Sequence, residues 1–165
     1  MEKFILPLIN DLTFSVCDKI EYQEEEMREK LTNGITLTSL ANSHAEAYTL
    51  KSPHGRKEKG QFFTPPEISS FMSGLFALPK TPSIKISLLD PGAGAGILAA
   101  GFCNALLKKN YKKVSLHIDL YEKDEEVLPF LKKTISACHF KFKDRGWGLT
   151  YRIIKADFIL SNINV

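Results

Sequence analysis

The stretch that decides the fold is Asp90-Pro91-Gly92-Ala93-Gly94-Ala95-Gly96. A short apolar run, residues 84–89, precedes it, and a second apolar run, residues 97–107, follows it. This pattern predicts a strand, a tight glycine turn and a helix. Glycines in such a turn let the backbone approach a ligand closely, and the start of the helix presents free N–H groups. The stretch therefore predicts a site for a nucleotide-like ligand.

Composition indicates an ordinary soluble globular chain. Its 165 residues are 44% hydrophobic and 25% charged, which suits one domain with a core. No apolar run approaches the roughly 20 residues that span a bilayer, and the N-terminus lacks the pattern of a secretory signal. The three cysteines, Cys17, Cys103 and Cys138, follow no disulfide or metal-binding spacing. These features favour a cytoplasmic protein without a metal site.

Charge is distributed unevenly along the chain. Residues 1–50 carry 4 basic and 9 acidic side chains, whereas residues 51–165 carry 18 basic and 10 acidic ones. The basic part begins with a polar loop, residues 51–59, that Pro and Gly interrupt. Its cations are Lys51, Arg56, Lys57 and Lys59. They suit weak contacts with the phosphates of a nucleic acid, and an ordinary solvated linker is the alternative.

Helices are predicted for most of the first half of the chain. Apolar residues recur at helical spacing from Ile5 to Ile20, and Asn33-Gly34 is a stop signal before a second helix over residues 36–48. A third helix is expected to begin with Thr64 as N-cap, Pro65 at the first position and Glu67 completing a capping box. It is expected to end before Pro79 and to bury its apolar residues, which are Ile68, Phe71, Met72, Leu75 and Leu78.

Strands and helices alternate in the second half. Strands are predicted at residues 84–90, 114–122 and 149–154, and helices at residues 97–109 and 124–140. Such alternation with short connections predicts an α/β fold with a parallel sheet. We interpret residues 1–50 as an N-terminal helical extension and residues 51–165 as the ligand-binding domain.

Asp90 narrows the choice of ligand. Residues 94–99 formally match the dinucleotide pattern G-x-G-x-x-A, so NAD is one candidate. A carboxylate beside the glycine turn would repel a pyrophosphate, however. S-adenosylmethionine carries no phosphate, and its ammonium and sulfonium groups favour a nearby carboxylate. The sequence therefore favours S-adenosylmethionine, with NAD as the alternative.

Acidic residues also follow the second and third predicted strands. Glu122 is placed to bind the two ribose hydroxyls, and Lys123 to lie over the adenine. Asp124 is predicted to cap the following helix and no more. Asp157 is placed to accept the exocyclic amine of the adenine, and Phe158 to stack on the ring. Because the carboxyl ends of parallel strands meet at one edge of a sheet, these residues are expected to share a site.

Four blocks stand in an order that identifies a family. They are Gly60-Gln61-Phe62-Phe63-Thr64-Pro65-Pro66, the glycine turn at residues 90–96, Tyr121-Glu122-Lys123-Asp124, and Ala156-Asp157-Phe158. Over residues 56–160 the chain resembles the adenine-N6 DNA methyltransferases of bacterial restriction–modification systems. The resemblance implies a Rossmann-like methyltransferase fold that is incomplete at its C-terminus, with S-adenosylmethionine as cofactor and DNA as partner.

The resemblance also implies a role for each block. Thr64, at the start of its helix, would meet the methionine carboxylate, which agrees with the affinity of helix N-termini for anions. Phe62 and Phe63 would form a wall of the site, although core packing is an equal alternative for both. The remaining cofactor-binding residues would be Asp90, Gly92, Ala93, Gly94, Glu122, Lys123, Asp157 and Phe158.

The catalytic motif of that family is missing. Its Asn/Asp/Ser-Pro-Pro-Tyr/Phe tetrapeptide would hold the flipped target base, but the single Pro-Pro pair here is Pro65-Pro66. The chain alone is therefore expected to be inactive, with no catalytic residue of its own. An incomplete sheet would leave an open edge and an uncovered apolar face, so self-association is expected. A methyltransferase fragment for RNA or protein glutamine and a non-catalytic docking module are alternatives.

Overall fold

The computed structural model describes residues 25–51 and 61–163. The chain divides into two compact units, Met1–Ile35 and Thr36–Val165. In the first unit residues 25–32 are helical, and the chain turns at Asn33 and Gly34, where Gly34 has a φ of 85°. The stop signal at Asn33-Gly34 is therefore confirmed, whereas the helix predicted before residue 22 lies outside the described residues.

The second unit alternates strands and helices. Its elements are α1 (Leu37–Lys51), α2 (Pro66–Gly74), β1 (Ser83–Asp90), α3 (Ile97–Leu107), β2 (Lys113–Tyr121), α4 (Leu128–Asp144), β3 (Gly148–Ile154) and α5 (Phe158–Asn162). The strands form a sheet in the order β1-β2-β3, and both pairs are parallel. The predicted α/β class with a parallel sheet is confirmed.

The core lies between the sheet and a helical layer. Both crossovers lead in the same direction across the sheet, so right-handed connections place α3 and α4 on one face. That face of β2 is fully buried along its length, through Val114, Leu116, Ile118 and Leu120. Helix α1 packs against α3 and α4 within this unit. The predicted boundary of the N-terminal extension at residue 50 stays a prediction.

The opposite face of the sheet is polar. His117 Nδ1 lies 2.8 Å from Thr150 Oγ1, and Arg152 donates two hydrogen bonds of 2.7 Å to the Asp119 carboxylate. These contacts with Arg152 lower the pKa of Asp119 to about 2. The alternation of apolar and polar residues along the strands produces this result. The uncovered face is therefore not the apolar surface that the sequence led us to expect.

Helix α2 differs from its prediction in its start and in its buried face. Its N-cap is Pro65, not Thr64, with Pro66 as the first helical residue, and no side chain in the described part of the chain caps it. The buried residues are Ser69 and Ser73 rather than the apolar stripe, of which Phe71 and Leu75 are 66% and 68% exposed. The helix ends at Gly74, earlier than predicted.

A close approach between α2 and α3 explains which face of α2 is buried. Ser69 Oγ donates a 2.8 Å hydrogen bond to the carbonyl of Ile97. A Cβ placed on Gly101 would lie 2.1 Å from Ser69 Oγ and 3.1 Å from the Ser69 carbonyl oxygen. Only small residues fit this contact, so the two serines face α3 and the large apolar residues face outward.

We predict that Gly101→Ala destabilises the protein. Alanine ordinarily stabilises a helix interior relative to glycine by about 0.5–1 kcal/mol, but here the added methyl must push α2 from α3. Overpacking of this kind costs about 1–3 kcal/mol. Urea denaturation followed by circular dichroism measures the change, and Gly74→Ala, whose Cβ would meet no atom within 4 Å, is the matched control. A Gly101→Ala variant as stable as the control would contradict the contact.

Candidate functional site

A cleft of about 520 Å³ lies at the carboxyl ends of the three strands. Its walls come from the segment at residues 61–64, the glycine turn, the end of β2 and the start of α5. Ten of the eleven residues predicted to bind the cofactor line it: Phe62, Phe63, Thr64, Gly92, Ala93, Gly94, Glu122, Lys123, Asp157 and Phe158. The fold therefore brings residues from all four sequence blocks to one place. From the glycine block, residues 91–95, which follow Asp90, line the cleft.

Two glycines give the turn its shape. Gly94 and Gly96 have φ values of 52° and 85°, which lie in the left-handed region that favours glycine. Gly96 is also the N-cap of α3, and its N–H donates to the carbonyl of Ala93 at 2.8 Å. A Cβ on Gly94 would lie 3.1 Å from the ring of Phe63. The turn thus packs directly against the segment at residues 61–64.

Glu122 ties the turn to the end of β2. Its Oε2 accepts the N–H of Gly94 at 2.9 Å, and its Oε1 accepts the N–H of Asp124 at 2.8 Å. The side chain is only 9% exposed, yet it lines the cleft. Each carboxylate oxygen can accept a second hydrogen bond. Glu122 therefore shapes the site and still has acceptor capacity for a ligand.

Asp90 is the one predicted site residue that does not line the cleft. Its side chain is 5% exposed, and Oδ1 accepts a long 3.4 Å hydrogen bond from the N–H of Gly92. Oδ2 has no hydrogen-bond partner among the residues that the structure describes. Burial raises the pKa of Asp90, and the charge of Glu122 raises it further against the opposing bond from Gly92. In the residue that begins the glycine turn, the structure thus holds a buried carboxylate oxygen without a described partner.

The far end of the cleft contains an ion pair. Lys123 Nζ lies 3.0 Å from Asp157 Oδ2, and Asp157 Oδ1 accepts the N–H groups of Ile159 and Leu160. Lys123 and these N–H groups lower the pKa of Asp157. The ring of Phe158 meets that of Tyr121 edge-on at 5.0 Å. Asp157 is therefore also the N-cap of α5, a helix that the sequence analysis missed although an Asp before an apolar run was a signal for it.

The side chains of residues 62–64 were predicted either to line the site or to serve in core packing and capping, and the structure distinguishes these roles. Phe62 is 85% exposed, so core packing does not account for it. Phe63 does pack, since its ring meets that of Tyr48 edge-on at 5.7 Å. Thr64 lines the cleft and is not the N-cap, so capping does not compete for its hydroxyl.

Two predictions concern charge and capping at other positions. Lys51 is exposed at the end of α1, whereas Arg56, Lys57 and Lys59 lie outside the described residues. Contrary to the prediction, Asp124 does not cap the helix, because the N-cap of α4 is Val127. Its Oδ1 instead accepts the N–H of Glu126 at 3.1 Å, in the turn before the helix. The helix itself begins four residues after Asp124, at Leu128. Asp124 also contacts Gln61 and Tyr48, which the sequence analysis did not anticipate.

The N-6 DNA methylase family matches residues 46–130. This match covers more than half of the chain, including the segment at residues 61–64, the glycine turn and Glu122. The chain belongs to the N-6 DNA methylase family. The predicted family is therefore confirmed, and the three-stranded parallel sheet is consistent with its Rossmann-like fold.

One curated relative shows how much of a methylase the chain spans. It is 41% identical over 104 residues to the type II methyltransferase M.BsuBI of Bacillus subtilis. The matched region is 63% of this chain and 19% of that protein, so the chain spans about a fifth of its relative. No solved structure matches the chain significantly. Among the described residues, no helix is long and apolar enough to cross a membrane, and no three His, Cys, Asp or Glu side chains form a metal-binding group.

We predict that Asp90→Asn stabilises the ligand-free protein at neutral pH. The pKa of the Asp90 carboxyl is raised in the folded state, so the folded protein binds the carboxyl proton more tightly than the unfolded chain does. The stability of the folded protein therefore falls as the pH rises from about 3.8, the ordinary pKa, through the raised pKa. The neutral amide of the variant escapes this loss, which arises from burial of the negative charge and is of the order of 1 kcal/mol.

Thermal denaturation between pH 3 and pH 7 tests this prediction. The stability difference between variant and native protein is expected to vanish at the acid end and to grow toward neutral pH. Asp144→Asn, at an exposed position at the end of α4, is the matched control. A constant difference across the range would contradict the assignment to Asp90.

Proposed function

We propose that the chain is the S-adenosylmethionine-binding part of a site-specific adenine-N6 DNA methyltransferase of the restriction–modification type. The observation that carries this proposal is the buried Asp90 oxygen without a partner, next to Glu122 and the glycine turn. An anionic ligand beside these carboxylates would meet repulsion, whereas a cationic group would be attracted by their charge. S-adenosylmethionine would supply an electrophilic methyl group on its sulfonium.

The methionine end of the cofactor suits one side of the cleft. Asp90 does not line the cleft, so its carboxylate would attract an ammonium group at this end through its charge rather than by direct contact. Thr64 lies at the start of α2, where the first N–H groups of a helix attract anions. Its hydroxyl and the N–H groups of α2 would receive the methionine carboxylate. The glycine backbone at Gly92 and Gly94 would allow close contact.

The nucleoside end suits the other side. Each oxygen of Glu122 keeps one lone-pair site for a ribose hydroxyl after it has accepted a backbone N–H. Lys123 and Asp157 form an exposed ion pair that lines the cleft, and Asp157 can accept a further donor such as the adenine amine. Phe158 would contact the adenine ring. These assignments fit an uncharged ribose with two free hydroxyls better than a phosphorylated one.

The acceptor base would be held by residues outside this sequence. The tetrapeptide that orients a target amine in this family is absent from all 165 residues. Within the described residues β1 pairs only with β2, and the outer face of α2 exposes Ile68, Phe71, Met72 and Leu75. A further strand and its flanking chain would find an open edge and an apolar face here. We propose that this side receives the acceptor-binding part, with self-association of isolated chains as its competitor.

Partner and location follow from the same proposal. DNA would bind chiefly through the acceptor-binding part, with weak phosphate contacts from Lys51, Arg56, Lys57 and Lys59. From the sequence we also propose a location in the cytoplasm, since both DNA and S-adenosylmethionine are present there.

We predict that the chain binds S-adenosylmethionine and that Gly92→Ala weakens this binding at least about tenfold. A methyl on Gly92 meets no protein atom within 4 Å, so the fold accepts it, but it would occupy cleft space that the cofactor needs. Isothermal titration calorimetry measures the Kd, with Gly74→Ala as the control away from the cleft. Binding of NAD in preference to S-adenosylmethionine would contradict the proposed cofactor.

We predict separately that the purified chain transfers no methyl group to DNA. Radiolabelled S-adenosylmethionine and a mixture of DNA sequences test this, and calorimetry on the same sample checks that the cofactor site is intact. The physical reason is that nothing in the sequence orients an adenine amine against the methyl group. Incorporation of label by the chain alone would show that the acceptor site lies within these residues.

A further inference from the structure

We infer that Asp124, held by Tyr48 and Gln61, is a positioning residue that fixes the carboxylate of Glu122 in the cleft. The inference rests on the proposed function and extends it to helix α1. None of the three residues was predicted to belong to the site. Asp124 and Tyr48 do not line the cleft, so neither is expected to touch the cofactor.

The Asp124 side chain makes more contacts than a capping residue needs. Its Oδ1 accepts the N–H of Glu126, which accounts for the turn before α4. Its Oδ2 accepts a 2.8 Å hydrogen bond from Gln61 Nε2 and lies 2.8 Å from the Tyr48 hydroxyl. That hydroxyl is also 2.9 Å from Gln61 Oε1. The second oxygen thus joins two side chains that are far from Asp124 in the sequence.

The backbone of Asp124 carries this constraint to the cleft. Its N–H donates to Glu122 Oε1 at 2.8 Å, while Glu122 Oε2 accepts the N–H of Gly94. A single residue, Lys123, separates Asp124 from Glu122 in the sequence. A shift of Asp124 would therefore move a hydrogen-bond donor of Glu122 and change the angle of that carboxylate. Gln61 connects the same anchor to the segment at residues 61–64.

Tyr48 fixes the anchor from the helical layer. It is fully buried on α1, and its ring meets those of Phe63 and Phe130 edge-on at 5.7 Å and 5.9 Å. Packing therefore sets the position of the Tyr48 ring. The ring in turn fixes where the hydroxyl lies. A phenylalanine would fill the same space. The hydroxyl is therefore the atom whose removal separates positioning from packing.

The choice of polar groups at this buried place supports positioning. Asp124 is 8% exposed, and burial of polar groups gains little stability over an apolar cluster of the same shape. Directional hydrogen bonds do, however, select one arrangement of the groups that they join. In this unit the selected arrangement sets the position of a carboxylate that lines the cleft.

The test is a double-mutant cycle on S-adenosylmethionine binding. Tyr48→Phe is expected to raise the Kd roughly 3- to 10-fold, the range for one lost hydrogen bond. Tyr111→Phe removes a hydroxyl that donates to the Pro79 carbonyl at 2.7 Å, away from the cleft, and is expected to change the Kd less than about twofold. In a Glu122→Gln background, Tyr48→Phe is expected to have an effect below about twofold, because the carboxylate it positions is gone.

Each result decides the matter. Equal Kd values for Tyr48→Phe and Tyr111→Phe overturn the inference, and so does an effect of Tyr48→Phe that is undiminished with Glu122→Gln. In either case native protein still binds S-adenosylmethionine and the proposed function survives. Absence of binding by native protein overturns the proposed function and this inference together. If Tyr48→Phe does not fold, as judged by circular dichroism, Asp124→Asn takes its place in the cycle with the same expected outcomes.

Discussion

The site depends on one carboxylate, that of Glu122, which accepts two backbone N–H groups from different parts of the chain. One donor, Gly94, belongs to the turn after β1, and the other, Asp124, belongs to the turn before α4. Without this bridge the glycine turn would be attached to β2 chiefly by the hydrogen bond from the Ala93 N–H to the Tyr121 carbonyl. The parallel register fixes β1 and β2 relative to each other. The hydrogen bonds of Glu122 in the same way fix the turn after β1 relative to the turn before α4.

The helical layer depends in a similar way on small residues. Gly101 lets α2 approach α3 so closely that Ser69 bonds to the backbone of Ile97. As a consequence, α2 is an amphipathic helix whose apolar face is exposed instead of packing in the core of its unit. Sequence periodicity identifies an apolar face but does not indicate whether the contact belongs to this unit or to another part of a larger assembly. Here the small residues contact α3, and the larger apolar residues are exposed in the described part of the chain.

Local patterns were sufficient for the sheet and insufficient for the details of the site. The three strands, α3 and the parallel class follow from apolar runs and glycine punctuation, and seven cleft residues follow from their places after the strands. The other three, Phe62, Phe63 and Thr64, were implied by the family resemblance alone. The N-cap of α2 was wrong because Pro66, not Pro65, occupies the first helical position, and its buried face was wrong because a tertiary contact with Gly101 decides it. The roles of Tyr48 and Gln61 had no local signal, since each depends on an oxygen of Asp124 that is distant in the sequence.

The carboxylates of Asp90 and Glu122 lie at the same glycine turn but differ in how many of their oxygens accept hydrogen bonds. Glu122 is satisfied by the backbone and adds rigidity, whereas Asp90 keeps an oxygen without a partner and a raised pKa. The first arrangement stabilises the folded chain, whereas the second costs stability because a carboxylate is buried without a partner for one oxygen. A cation near Asp90 would offset the repulsion between the two acids. Under the proposed function, part of this free energy would be returned when the cofactor binds, and the turn would then select its ligand by charge as well as by shape.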